Sequence, residues 1–280
     1  MLLSKRKKLM RLFFQIIAIL ITVVVYIIPF WFVILTASKD KREASWMNLS
    51  LPGKWQLWDN IREVFATNDG MILRSFVNST LLTVISVAII IVVTSLLAFV
   101  MQRRNDRVTR IFSLLILAGL IVPSAIVPTY WVLDFLHLSK KLAGLITVEV
   151  ALNISFATIL YRGFIGSVPR AIDEAAIIDG CGTLRLFMSV ILPLLKPVTA
   201  AVAVVSTLHV YNDFVNPLYY LPGAKNSTIQ LSIYYFTGQY GSDWNLVFAD
   251  ILIISIPVII LYILFNKQIV EGMVAGSVKG

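Results

Sequence analysis

The strongest constraint on this chain is the run Ser75–Met101, which holds no ionisable side chain. In water such a run would have no charged face to present. About 20 mostly apolar residues are enough to cross the hydrocarbon core of a bilayer as a helix. Lipid offers no partners to the backbone, so the helix is forced. Five further runs read the same way: Leu12–Ala37, Ile111–Leu133, Leu142–Tyr161 around Glu149, Val190–Val215 with Lys196 and Asp213 near its ends, and Val247–Phe265 with Asp250 one turn in. The expectation is an all-α integral membrane protein with six transmembrane helices. The first run is long and lacks a small-residue cleavage site, so it reads as a span and not as a removed signal peptide.

Composition agrees. Hydrophobic residues make up 58% and charged residues 14%, against about 25% charged for soluble domains. Cys181 is the one cysteine, which excludes an intramolecular disulfide and a cysteine-cluster metal site. His137 and His209 lie far apart and form no ligand pair. No metal site is expected.

Lys and Arg placement sets the topology. With the amino terminus inside, the inner segments hold Lys5, Arg6, Lys7, Lys8 and Arg11, then Arg103, Arg104, Arg107 and Arg110, then Arg162, Arg170, Arg185 and Lys196. That is the larger share of the basic residues. Six spans return the carboxyl terminus to the cytoplasm. The net charge of +9 is thus topogenic, and nucleic acid is not an expected partner. The organisation reads as residues 1–37 (cytoplasmic start and first span), 38–74 (polar outer loop), 75–266 (five-span core) and 267–280 (cytoplasmic tail). In the outer loop, Trp46 and Trp58 are candidate anchors at the lipid interface.

Between spans four and five lies the one amphipathic, charged stretch of the second half. Pro169 in a first turn with Asp173 and Glu174 behind it suits a helix start. Gly180 and Gly182 then end that helix, and a second short helix runs from Thr183 to Val190 before Pro193. Ala175 and Ala176 are small enough to let another surface approach. The pattern alone leaves two readings open: a knob that docks a soluble partner, or an amphipathic helix lying on lipid.

The spacing of this stretch resembles the coupling motif of permease subunits in bacterial binding-protein-dependent ABC importers. Glu174, Ala175 and Ala176 are followed after three residues by Gly180 and, nine residues later, by Val190, Ile191, Leu192 and Pro193. Asp179 before the glycine looks like the sugar-importing branch. Tyr211–Leu218 resembles the end of the fifth span of sugar permeases, and Glu271–Gly280 resembles the tail of the maltose-type six-span subunit.

The resemblance implies a type I importer permease fold with a coupling helix between spans four and five. Glu174, Ala175, Ala176, Asp179, Gly180, Leu192 and Pro193 would meet an ATPase. Implied partners are a second permease subunit, two cytoplasmic ATPase subunits, an extracytoplasmic solute-binding protein and a carbohydrate, all in a bacterial cytoplasmic membrane and its lipid. The chain itself has no Gly-x-x-x-x-Gly-Lys-Ser/Thr phosphate loop. It is therefore read as a transport subunit and not an enzyme, binding no cofactor, with ATP and Mg on the partner ATPases.

Glu149 is costly in lipid and should face protein or water, either as a pathway group or as a structural hydrogen-bond partner. Asn153, one turn on, either lines a polar pathway or bonds a neighbouring helix. Asn212 and Asp213 are a structural cap or a gate. Asp250 would meet water at the outer end of span six, and His209 would pack between helices. The outer loop Leu218–Trp244 carries Tyr234, Tyr235 and Tyr240. Related permeases present this loop to the binding protein; the alternative is an interfacial lid.

Overall fold

The computed structural model describes residues 2–223, 225–238 and 241–277. Its elements are α1 (Leu2–Thr22), a π-helical turn (Val23–Ile27), α2 (Ile28–Ala37), α3 (Lys41–Ala44), α4 (Leu57–Ala66), α5 (Met71–Arg103), α6 (Arg107–Ile121), α7 (Ile126–Phe135), α8 (Leu142–Ile165), α9 (Arg170–Ile178), α10 (Thr183–Leu186), a π turn (Phe187–Ile191), α11 (Leu192–Leu194), α12 (Lys196–Asn212), α13 (Val215–Tyr220), a 3₁₀ helix (Ile229–Phe236) and α14 (Trp244–Ser277). A two-residue hairpin, β1 (Thr237–Gly238) with β2 (Gly241–Ser242), is the one exception to an all-helical fold among the described residues.

Three helical stretches are long and apolar enough to cross a membrane: Leu12–Ala37, Met71–Arg103 and Leu142–Ile165. A fourth candidate is the pair Thr183–Leu194 and Lys196–Asn212, bent by 77°. Trp244–Ile260 is a shorter apolar stretch. The remaining expected spans differ in shape from a straight helix for reasons visible in the sequence. The run Ile111–Leu133 is split after α6, because Pro123 pushes Val122 to an extended ψ of 121°. The run Val190–Val215 is angled where Pro193 and Pro197 each remove a backbone donor. The last run continues as one helix to Ser277, across the expected boundary at Phe265, with Pro257 inside it.

The chain forms two compact units: residues 1–72 with 232–256, and residues 73–231 with 257–280. In the first, side chains from Leu12 to Trp31 are exposed along the whole span, the surface a helix offers to lipid. In the second, helices α5, α8 and α12 form the frame. One apolar cluster joins them around Leu82, Leu145 and Val210, with Leu133 and Tyr220. A second joins them further along, around Phe99, Tyr161, Phe187, Ile191, Leu195 and Val202. Tyr161 donates a hydrogen bond from its hydroxyl to Thr199 Oγ1 at 3.0 Å, tying α8 to α12. Gly144 opens α8 where the preceding turn crosses it: a Cβ there would stand 2.2 Å from the Leu138 carbonyl oxygen.

Candidate coupling site

The second apolar cluster carries the charged stretch. Helix α9 begins after Pro169, whose ψ of 137° sets the chain into the helix, and Asp173 lies in its first turn. It ends where Gly180 adopts φ +78°, a left-handed turn that glycine makes without a Cβ penalty. Gly182 is different from the expectation. Its φ is −68°, and it stands at the N-cap of α10, so one left-handed residue suffices to turn the chain. Cys181 N–H donates back to Ala176 O at 2.9 Å, closing the turn.

The knob is fastened from one side by a buried ion pair. Arg103, at the end of α5, places Nε 2.5 Å from Asp173 Oδ2. Its Nη2 donates to Asp173 Oδ1 at 3.2 Å and to Val168 O at 3.3 Å. The two side chains are 13% and 12% exposed. Phe187 packs against Phe99 with ring centroids 5.3 Å apart and the ring planes tilted by 48°. Beside the pair opens a cleft of about 520 Å³, lined by Arg104, Arg170, Glu174 and Ile177 among others.

The motif residues divide by face. Glu174, Ala175, Asp179, Gly180 and Pro193 are exposed, and Leu192 is half-buried. Ala176 is buried in the cluster. Its small side chain lets α9 approach its own core, not a partner, which corrects the expectation for that residue. The exposed tip is instead strongly apolar: Ile177, Ile178 at 85%, Leu184 and Met188. Helical spacing puts Ile178 on an apolar stripe with Ala171 and Ala175, but reading the motif by its acid, alanines and glycine passed over Ile177, Leu184 and Met188, and it passed over the pairing of Arg103, sixty-six residues before Pro169 in the chain. An acid at the start of a helix and a basic cluster opening the preceding inner loop were the available signals.

The candidate pathway residues come together in part. Glu149 is fully buried, with Asp213 and Asn216 as its charged and polar neighbours. Asn153 donates to the Glu149 backbone carbonyl at 2.8 Å, a bond within its own helix and not to a neighbour. Asp213 accepts from Val215 N–H at 2.9 Å and Asn216 N–H at 3.2 Å and so caps α13. Asn212 is exposed and donates to Leu208 O at 2.9 Å. Asp250 does not meet water: it is fully buried and accepts from Ser232 Oγ at 2.6 Å. His209 is exposed, where packing between helices was expected. Tyr234 and Tyr235 are exposed on the 3₁₀ helix, and Tyr240 lies outside the described residues. Among the described residues no three His, Cys, Asp or Glu side chains converge. The knob presents a shaped apolar surface at Ile177, Ile178, Leu184 and Met188.

Comparison with known proteins shows the family to which this helical frame belongs. Residues 90–273 match the model of the family described as "Binding-protein-dependent transport system inner membrane component". The chain belongs to this family. It is similar to the "Probable starch degradation products transport system permease protein AmyC" of Thermoanaerobacterium thermosulfurigenes, 31% identical over 91% of this chain and 92% of the relative. It is also similar to the "Multiple sugar-binding transport system permease protein MsmG" of Streptococcus mutans, 30% identical over 98% and 100%. Among solved structures, a chain of a bacterial ABC transporter involved in import of the acidic polysaccharide alginate shares the fold. Its TM-score is 0.77, with 19% identity, 92% of this chain and 96% of that chain covered. The protein is accordingly a multi-pass permease component of the inner membrane, a transport subunit and not an enzyme.

Proposed function

We propose that this chain is one permease subunit of an ATP-driven carbohydrate importer, and that oligosaccharides are its substrate class. Relatives whose names specify starch degradation products and multiple sugars support the substrate class. In this reading six spans cross the membrane: Leu12–Ala37, α5, α6 with α7, α8, the bent α10–α12 segment and α14. Both termini and the knob are cytoplasmic. The partners are a second permease subunit, two ATPase subunits that hold ATP and Mg, and an extracytoplasmic solute-binding protein.

The observation that carries the reading is the apolar tip of the knob, Ile177, Ile178, Leu184 and Met188, exposed on a surface anchored by the buried Arg103–Asp173 pair. Glu174, Ala175, Asp179 and Gly180 frame that tip and would seat it in an ATPase groove, with Leu192 and Pro193 linking it to α12. Closure of the ATPases around ATP would move two such knobs and alternate the access of the pore. Glu149 and Asp213, with Asn153 and Asn212 nearby in the sequence, would line part of the pathway. Tyr234, Tyr235 and Tyr240 would meet the binding protein.

The test uses the assembled transporter in vesicles. Ile178→Asp places a charge at the tip without touching the core. It should leave the permease inserted and lower co-purification of the ATPase subunits and binding-protein-stimulated ATP hydrolysis at least tenfold. Wild-type co-purification and stimulation would refute the docking role.

A further inference from the structure

The outer segment Ser38–Gly70 is folded with its polarity reversed. Lys39 is 0% exposed, and its Nζ donates to Asn48 O at 2.8 Å and Asn48 Oδ1 at 2.9 Å. Asn60 is buried as well. Outside, Trp46, Leu49, Leu51, Trp55 and Trp58 are exposed, Trp58 at 73%. A segment folding in water alone would arrange these groups the other way, since Lys is almost never fully buried and a cluster of exposed indoles is costly.

The depth of this surface is fixed by hydrogen bonds to a spanning helix. The last carbonyls of α2 have no partners within the helix. Asn60 Nδ2 donates to Ala37 O at 2.8 Å and to Lys39 O at 2.9 Å, and Gln56 N–H donates to Ser38 O at 2.8 Å. Trp55 precedes Gln56 directly, and Trp58 stands within a turn of Asn60. They are therefore held at the level where α2 leaves the hydrocarbon. The same helix exposes Phe30 and Trp31 two turns earlier. Helix α4 has three faces. At about 100° per residue, Trp58, Ile61 and Phe65 share one strip, Asn60 and Val64 point inward and are buried, and Asp59 and Glu63 lie on the third face, exposed. The segment carries equal numbers of basic and acidic residues, so apolar contact and not charge must hold its partner.

We propose that Trp46–Phe65 is an interfacial foot, with Trp58, Ile61 and Phe65 of α4 and the neighbouring Trp46, Leu51 and Trp55 seated in the headgroup region of the outer leaflet. Indole rings, with an apolar body and one N–H donor, suit that layer, and an amphipathic helix lies along it. The foot fixes the outer end of the first span at a set depth, and it acts whatever solute the transporter carries.

Single cysteines at Trp58→Cys, Leu51→Cys, Asp59→Cys and Glu63→Cys, each with Cys181→Ser, are nitroxide-labelled in the full chain. The chains are reconstituted in phosphatidylethanolamine–phosphatidylglycerol vesicles. Collision with oxygen should exceed collision with a water-soluble nickel chelate at 51 and 58, and the order should reverse at 59 and 63. Nickel-dominated collision at 51 and 58 would overturn the proposal, because the surface would then face water. Poor access to both reagents there would also overturn it, because a protein would then cover the surface. A second measurement leaves the foot intact. With Trp31→Phe, Trp131→Phe and Trp244→Phe, lipid brominated close to the headgroup should quench the remaining indoles more than lipid brominated at the chain end. Equal or absent quenching counts against the foot.

Discussion

Neutralising one side of the Arg103–Asp173 pair should release the knob without unfolding the frame. Both side chains are about seven-eighths buried, and Arg103 reaches Asp173 through Nε and Nη2 while also holding Val168 O. Asp173→Asn leaves the guanidinium buried without its counter-charge, and Arg103→Met does the same to the carboxylate. Breaking a buried pair from one side costs about 3 kcal/mol or more, which is roughly a 150-fold change in an equilibrium constant. The equilibrium it acts on is the local docking of α9, because α8 and α12 are tied to each other separately through Tyr161 and Thr199. Amide hydrogen exchange measures this directly. Peptides covering Arg170–Gly180 should exchange about a hundredfold faster in either single variant, and peptides from α8 should not change. Replacing both partners with apolar residues, Arg103→Met with Asp173→Leu, should restore most of the protection, since no charge is then stranded. Unchanged exchange of α9 in both single variants, or equal acceleration in α8, would refute the reasoning.

Three other perturbations test separate parts of the structure. Gly180→Val should weaken the α9–α10 turn by roughly 1–2 kcal/mol through backbone strain alone. No atom lies within 4 Å of the new Cβ, so Gly180→Asn, which tolerates φ +78° better, should cost visibly less in the same exchange assay. Gly144→Ala drives a methyl into the Leu138 carbonyl and should lower the thermal unfolding midpoint of the purified protein by an amount equivalent to about 2 kcal/mol; an unchanged midpoint would show that the turn yields freely. At the start of α6, the Thr109 backbone N–H and then its hydroxyl hold the Asp106 carboxyl below its usual 3.8. The folded form therefore binds the proton less tightly than the unfolded one. The cap is fully present above about pH 4 and is lost as the pH falls through the lowered value. Exchange protection of Arg107–Arg110 should decline on acidification in that window, and Asp106→Asn should abolish the dependence.

The sequence was most informative where one physical demand acted alone. Runs such as Ser75–Met101 could become only helices in lipid, and the left-handed Gly180 followed from its place after α9. Legibility fell where two demands met in one segment. Ile111–Leu133 satisfies lipid along its length, yet Pro123 breaks it. Ala176 fits a docking face by size, but its direction around α9 turns it into the core. The partners that decide the site come from far along the chain: Arg103 for Asp173, and Asp213 for Glu149. Pairings across such separations leave no periodic trace in a single sequence. Lys39 is the clearest case, since nothing local to it signals full burial, and only the fold of Asn48 and Asn60 around α2 accounts for it.

The 77° elbow between the knob segment and α12 makes a bell crank. Its pivot, Leu195, is fully buried beside Ile191. Thr199 N–H bonds to Leu195 O at 2.8 Å across the corner, and prolines 193 and 197 flank it. No glycine lies between Thr183 and Asn212, so the corner has no ready hinge at which a push on the knob could dissipate. Helix α12 is a 17-residue arm, about 25 Å long at 1.5 Å per residue. A knob rotation of about 10° would then swing the far end of α12, near Asp213, by about 4 Å. In the proposed topology, a short stroke at the knob would thus become a sideways stroke at the far end of α12, with the leverage set by arm length and corner stiffness.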